Sequence, residues 1–150
     1  MALILRRATT ADAAETAAVY TAAFGGMDFV PQLHTAEEHR TFVADFIARS
    51  ETWIAVVDAR IAGLAAIEGD WLMQLYIHPD FQAAGIGSAL LARVKQERPR
   101  GFQLWTFQAN AGARRFYERQ GCKPVEFTDG SGNEEKTPDV RYEWKPVTAG

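Results

Sequence analysis

Between an apolar run ending at Ile77 and a helix-like run after Gly87 lies the stretch "HPDFQAAGIG", where Gln82, Ala83, Ala84, Gly85, Ile86 and Gly87 offer a nearly bare backbone. Glycine and alanine put no bulk over their N–H groups, so a ligand can approach closely. The first amides of a helix lack internal partners and sit at the positive end of its dipole. Such a loop running into a helix suits an anion such as a pyrophosphate. Two familiar phosphate loops fail on it. The Walker pattern requires Lys and then Ser or Thr after its last glycine, but Ser88 follows Gly87 directly. The dinucleotide fingerprint requires Gly or Ala three residues after Gly87, where Leu90 stands. What remains is Q-x-x-G-x-G, which taken alone is also compatible with a plain strand-to-helix turn.

Positioning the loop takes a strand before it and a helix behind it, and the sequence supplies both. "WLMQLYI" is the last of three β-rich runs, broken at Asp58-Ala59-Arg60 and Gly69-Asp70, which predicts an antiparallel meander. Ile86, Leu90 and Val94 fall four apart on one helix face that ends before Pro99. Upstream, residues 3–9 read as a strand, and Asp12 stands where it would cap an alanine-rich helix stopped by Gly25 and Gly26. Thr35 and Glu38 have capping-box spacing ahead of Phe42, Val43, Phe46 and Ile47. Downstream, "FQLWTF" is a strand, Asn110 caps "AGARRFYERQ", and Gly121 stands as its C-cap glycine. Strands near 124–127 and 140–144 flank the polar loop "TDGSGNEEKTPD". The order is β-α-α-β-β-β-α-β-α-β-β. It predicts an α/β (α+β) fold, with a mixed, mostly antiparallel sheet of about seven strands flanked by about four helices.

Bulk properties narrow the class. Hydrophobic content of 47% with 23% charged residues is ordinary for a globular chain, and residues 1–150 read as one domain. A formal charge of −3 gives no basic field of the kind nucleic acid binding uses. The single cysteine, Cys122, excludes an internal disulfide and reads as core. "MALILRRATT" is too short and wrongly charged for a signal peptide, and no apolar run approaches the ~18 residues of a membrane span. A soluble, cytoplasmic protein without nucleic acid or membrane partners is expected. His34 and His39 with Glu37 and Glu38 suggest solvated charge at a helix start rather than a metal site, and Trp53, Trp105 and Trp144 read as strand core.

"LYIHPDFQAAGIGSALL", joined to "NAGARRFYERQGC" at a fitting distance and to this element order, resembles the GNAT superfamily of N-acetyltransferases over nearly the whole chain. The resemblance implies acetyl-CoA as acyl donor and transfer to a primary amine by direct attack in a ternary complex. Leu75, Tyr76 and Ile77 match the strand whose backbone bonds the pantetheine arm, as in β-augmentation. The N–H near Ile77 is then placed to stabilise the thioester oxyanion. Gln82, Ala83, Ala84, Gly85, Ile86, Gly87 and Ser88 match the pyrophosphate loop. Asn110 matches a residue bonding the pantetheine, and Ala113 and Phe116 match positions along it, with Arg114 and Arg115 within reach of phosphate. Tyr117 matches the common general acid, a phenol that keeps its proton at neutral pH and can give it to the departing thiolate.

An amine with a pKa near ~10 must also lose a proton before attack. Glu68 and Asp70, at the turn into the central strand, lie near where the family often keeps a base, while His78 of "HPD" matches a structural position. The acceptor cleft of the family falls on residues 24–34 and 128–139. Phe24, Phe29, Trp71 and Tyr76 are the candidate apolar wall, with Met27 beside them. A small-molecule amine is the expected acceptor. A protein amino group is the alternative, as is a non-catalytic acyl-CoA sensor, whose mark would be loss of the tyrosine. Many members of the family dimerise, which leaves a homodimer open.

Overall fold

A computed structural model describes residues 2–82 and 84–147. The predicted order holds: β1 (Leu3–Arg7), α1 (Ala13–Gly25), α2 (Ala36–Arg49), β2 (Glu51–Val57), β3 (Arg60–Glu68), β4 (Trp71–Ile77), α3 (Ile86–Glu97), β5 (Phe102–Phe107), α4 (Ala111–Arg119), β6 (Lys123–Phe127) and β7 (Asp139–Trp144). All seven strands join one sheet in the order β1-β2-β3-β4-β5-β7-β6. Every pairing is antiparallel except β4 with β5. Among the described residues no helix is long and apolar enough to cross a membrane.

The sheet is sandwiched. On one face Ile86, Leu90, Leu91 and Val94 of α3 and Tyr117 of α4 pack on Leu72, Leu104 and Tyr142. On the other, Val19, Tyr20 and Phe24 of α1 and Val43, Phe46 and Ile47 of α2 pack on Ile54 and Leu64. The twofold alternation of a strand sorts β4 between them: Leu75 and Ile77 go to the α3 side, Tyr76 to the α1 side.

Local signals set most boundaries. Glu38 N–H donates to Thr35 Oγ1 (3.1 Å) while Thr35 N–H donates to Glu38 Oε1 (2.9 Å), completing the capping box. Gly121 has φ +91°, and Cys122 N–H reaches back to the Tyr117 carbonyl at 3.0 Å, closing α4. Asp12 departs from expectation. Its carboxylate turns away from α1, accepts the Thr9 N–H at 2.8 Å and pairs with Arg6 at 2.8 and 2.9 Å, because the chain makes a short 3-10 turn at Thr10–Asp12 first.

One pairing is almost missing. β4 and β5 share only the register pair Trp71–Gln103, held by the Gln103 N–H to the Asp70 carbonyl at 2.9 Å. Opposite Ala66 and Ile67 of β3, the register jumps from Gln74 to Leu72, so Met73 is an extra residue on β4. Such a bulge bends its strand. Past it, β4 and β5 diverge and the sheet splits.

Candidate active site

The split is a slot through the sheet. His78 N–H donates to the Ala62 carbonyl at 2.8 Å, and Tyr76 faces Leu64 in the same register. Antiparallel alternation therefore turns the N–H groups of Leu75 and Ile77 away from β3 and towards the gap. A cavity of about 80 Å³ occupies it, lined by Leu75, Tyr76, Leu104, Thr106, Asn110, Ala113 and Tyr117. Asn110 Oδ1 accepts the Ala113 N–H at 3.1 Å, so the N-cap fixes its side chain at the slot wall. Tyr117 is 7% exposed and lines the slot. Burial pushes that phenol well above its usual pKa, so it stays protonated at any physiological pH.

The glycine loop runs from the open end of β4 into α3. Gly85 is the N-cap with φ +78°, a backbone that L side chains rarely adopt. The amides of Ile86, Gly87 and Ser88 precede the first helical bond, Ala89 N–H to the Gly85 carbonyl at 3.1 Å. A Cβ on Gly87 would stand 3.4 Å from the Phe116 ring, so Phe116 packs against the loop from α4. Ser88 Oγ accepts from Gln120 Nε2 at 3.1 Å, tying the two helices at this corner. Gln82, Ala84 and Gly85 are exposed, as is Arg115, while Ala83 lies outside the described residues. Arg114 is engaged elsewhere, donating from Nε to Tyr142 Oη at 3.1 Å. His78 Nδ1 accepts the Asp80 N–H at 3.1 Å and organises the turn before the loop.

On the opposite face, over α1, α2 and the loop between β6 and β7, opens a cavity of about 1240 Å³. Phe24 and Tyr76 line it, and Tyr76 also lines the slot, so the two spaces meet at this side chain. The β6–β7 loop forms one wall through Thr128, Ser131, Gly132, Asn133, Glu134 and Glu135. It is braced internally: Asn133 Nδ2 donates to the Thr137 carbonyl at 2.8 Å and to Asp139 Oδ2 at 3.1 Å. His34 bridges this loop to α2 by bonding both Glu134 and Glu38. Six carboxylates line the cavity, from Glu38, Asp45, Glu126, Glu134, Glu135 and Asp139, with no lysine or arginine among its described lining residues. Arg141 pairs with Glu126 and Arg49 with Asp45, so the uncompensated charge gathers around Glu134 and Glu135.

Several sequence expectations change here. Glu68 ends β3 and Asp70 lies in the turn to β4, at the closed end of the split, where β4 and β5 still pair; neither lines the slot or the large cavity described above. Trp71 is at that same closed end for the same reason. Phe29 packs on Phe107, with ring centroids 6.3 Å apart, and lines neither cavity. Trp105, expected as core, is 42% exposed and faces the large cavity beside Met73. His39, expected in solvent, is 6% exposed. The capping box sets the phase of α2 so that His39, Val43, Phe46 and Ile47 share its inward stripe. That four-residue step from His39 to Val43 was the one sequence signal for it. Cys122 is 3% exposed and burial pushes its thiol up to about 11, the state of an inert core cysteine. Among the described residues no cluster of three metal-ligating side chains occurs.

Known proteins share this architecture. The solution structure of apo YjaB from Escherichia coli superposes with a TM-score of 0.80 at 20% identity, covering 96% of this chain and 98% of that one. A ribosomal-protein-alanine N-acetyltransferase from Brucella melitensis gives 0.75 at 19%, covering 95% and 99%. In sequence, peptidyl-lysine N-acetyltransferase YiaC of Escherichia coli (strain K12) is 32% identical over 82 residues, 54% of this chain and 56% of that protein. Peptidyl-lysine N-acetyltransferase YjaB of Salmonella typhimurium is 30% identical over 97 residues, 64% of this chain and 66% of its own length. The chain thus spans less than two thirds of either relative. The family model described as an acetyltransferase (GNAT) domain matches residues 48–123, from the end of α2 to the first residue of β6. With half of its length matched by that model, the chain belongs to the GNAT acetyltransferase family.

Proposed function

We propose that the chain is an N-acetyltransferase that moves the acetyl group of acetyl-CoA to a primary amine on a cationic acceptor, by direct attack. One observation carries this: the slot between β4 and β5, with strand amides on one side and the buried Tyr117 on the other. The residues fit the donor. Leu75 and Ile77 offer N–H groups to an amide-bearing arm, Asn110 and Ala113 line its path, and Phe116 buttresses the loop. Ile86, Gly87 and Ser88 offer amides at the start of α3 to a pyrophosphate. Acetyl-CoA supplies an activated acyl group when bound. Tyr117 then gives its proton to the departing sulfur, and the Ile77 N–H opposes charge on the carbonyl oxygen.

The acceptor is best read as a lysine side chain of a polypeptide. The acid-lined cavity, at about 1240 Å³, exceeds the ~300–1,000 Å³ usual for small-ligand sites, and its floor exposes Met73 and Trp105. Two relatives carry the name peptidyl-lysine N-acetyltransferase. A free polyamine is the second reading, favoured by the aromatic ring set Tyr20, Phe24 and Phe107 on the same cavity.

Free-thiol release from acetyl-CoA, measured with a lysine peptide flanked by basic residues, free lysine and spermidine, tests both. The expected order is peptide first. Tyr117→Phe should lower kcat about 100-fold while thermal stabilisation by acetyl-CoA persists. Full turnover by that variant, or stabilisation by ATP or NAD instead of acetyl-CoA, would sink the proposal.

A further inference from the structure

His39 is a buried titratable side chain on the acceptor cavity that the scheme above leaves idle. Its ring is wedged between Tyr20 and Phe24, with centroids 5.0 and 6.1 Å away, both edge-on. Its Nδ1 lies 3.0 Å from Thr21 Oγ1, which fixes the ring's rotation. Its Nε2 has no hydrogen-bond partner among the described residues, and the side chain lines the cavity. The same Tyr20 and Phe24 rings pack against Tyr76, at 5.1 and 6.4 Å, where the cavity meets the slot. A ring held by one nitrogen, with the other bare beside a channel, has the arrangement of a proton acceptor.

We propose that His39 is the catalytic base, taking a proton from the acceptor ammonium at Nε2 while Nδ1–H donates to Thr21 Oγ1. His39's role presupposes the acetyl transfer proposed above. The ammonium gives one proton to Nε2. The freed nitrogen lone pair forms the N–C bond to the acetyl carbonyl, and the C–S bond breaks with its electron pair on sulfur. The sulfur takes the Tyr117 proton, and the second proton lost by nitrogen returns through water to the Tyr117 oxygen. The proton on Nε2 leaves to solvent, so the net products are amide, free thiol and one proton.

The surroundings suit the role. Burial lowers the His39 pKa, the neighbouring His34 acts in the same sense, and Glu38 opposes them. Facing groups on the packed elements are Tyr20 on α1, Tyr76 on β4, Asp45 further along α2, and Glu134 and Glu135 on the β6–β7 loop. The imidazole is therefore neutral above its ordinary ~6.5 and is lost as a base only when pH falls below that.

The pH dependence of kcat/KM for the best acceptor of the amine panel is the test. Wild type should hold a plateau between roughly pH 7 and 9, because the neutral base works on the abundant ammonium form. His39→Gln should lose about 100-fold at pH 7 and rise with pH towards the amine pKa near ~10, since only free amine then reacts. Thr21→Val, which releases Nδ1, should lower kcat with little change in KM. In parallel, histidine ¹⁵N spectra, with His39 assigned by its absence from His39→Gln, should show the Nδ1–H tautomer and an Nε2 signal that moves when spermidine joins the CoA complex. Turnover by wild type and His39→Gln with the same pH profile, or an Nε2–H tautomer blind to spermidine, overturns His39 alone. Absence of turnover in wild type with every amine removes the transfer reaction, and the base with it.

Discussion

Thr16 lies on the inward side of α1, fully buried, with its hydroxyl lacking a hydrogen-bond partner among the described residues. A buried hydroxyl without a partner loses its hydration for nothing. Thr16→Val keeps the β-branched shape and removes the orphan. Unfolding stability should rise by about 1 kcal/mol and Tm by about 3 °C in thermal denaturation. A lower Tm would mean that the hydroxyl is bonded in solution. At this scale the sequence was only partly legible. The caps at Thr35 and Asn110 depend on neighbours three residues away, and could be read from spacing. His39 was marked only by its four-residue step to Val43, since a histidine beside Glu37 and Glu38 reads as solvated until Tyr20 and Phe24 arrive from another helix. Asp12 failed for a related reason: Arg6, brought by β1, competes for its carboxylate and holds it at a pKa of about 2.

At the scale of elements, the β6–β7 loop decides how the acceptor cavity is walled. Gly130 has φ +85°, and a Cβ there would stand 2.3 Å from the Thr137 carbonyl carbon and 2.7 Å from Pro138 N. Both contacts are backbone, so neither can rotate away. Gly130→Ala must therefore displace the 131–137 segment and with it Glu134 and Glu135. The expected outcome is a roughly tenfold lower kcat/KM for the amine, with the acetyl-CoA thermal shift unchanged, because the loop touches only the acceptor side. Equal loss on both substrates would show that the loop supports the whole fold. The sequence marked this segment as polar and turn-rich, and the resemblance set it beside residues 24–34, but the contact that joins them, His34 with Glu134, is seen only in the structure. The split between β4 and β5 followed only from the family resemblance, which leaves the backbone of Leu75 to Ile77 to the pantetheine arm. Each strand is locally ordinary, and their divergence arises from the Met73 bulge and a register between strands 25 residues or more apart in the chain.

Over the whole molecule, a formal charge of −3 is unremarkable, but its distribution is not. Glu134 and Glu135 gather at the rim of the cavity, and their field reaches Tyr20, whose hydroxyl burial and these two charges push up to about 12. Glu135, unlike Glu134, is not engaged by His34, so it is the carboxylate to neutralise. Between unit charges some 6–8 Å apart near a surface, the interaction is on the order of 1 kcal/mol and is screened over about 10 Å at 0.1 M salt. Glu135→Gln should therefore lower kcat/KM about threefold for a peptide with several lysines, and hardly at all for an amine with a single charge. Raising ionic strength from about 0.02 to 0.3 M should weaken the polycation selectively and shrink the difference between wild type and variant. Comparing the two acceptors under one set of conditions cancels effects of salt on acetyl-CoA binding and on stability. If the two acceptors share one salt slope and one response to Glu135→Gln, the carboxylates serve only to hold the loop, and charge does not select the acceptor.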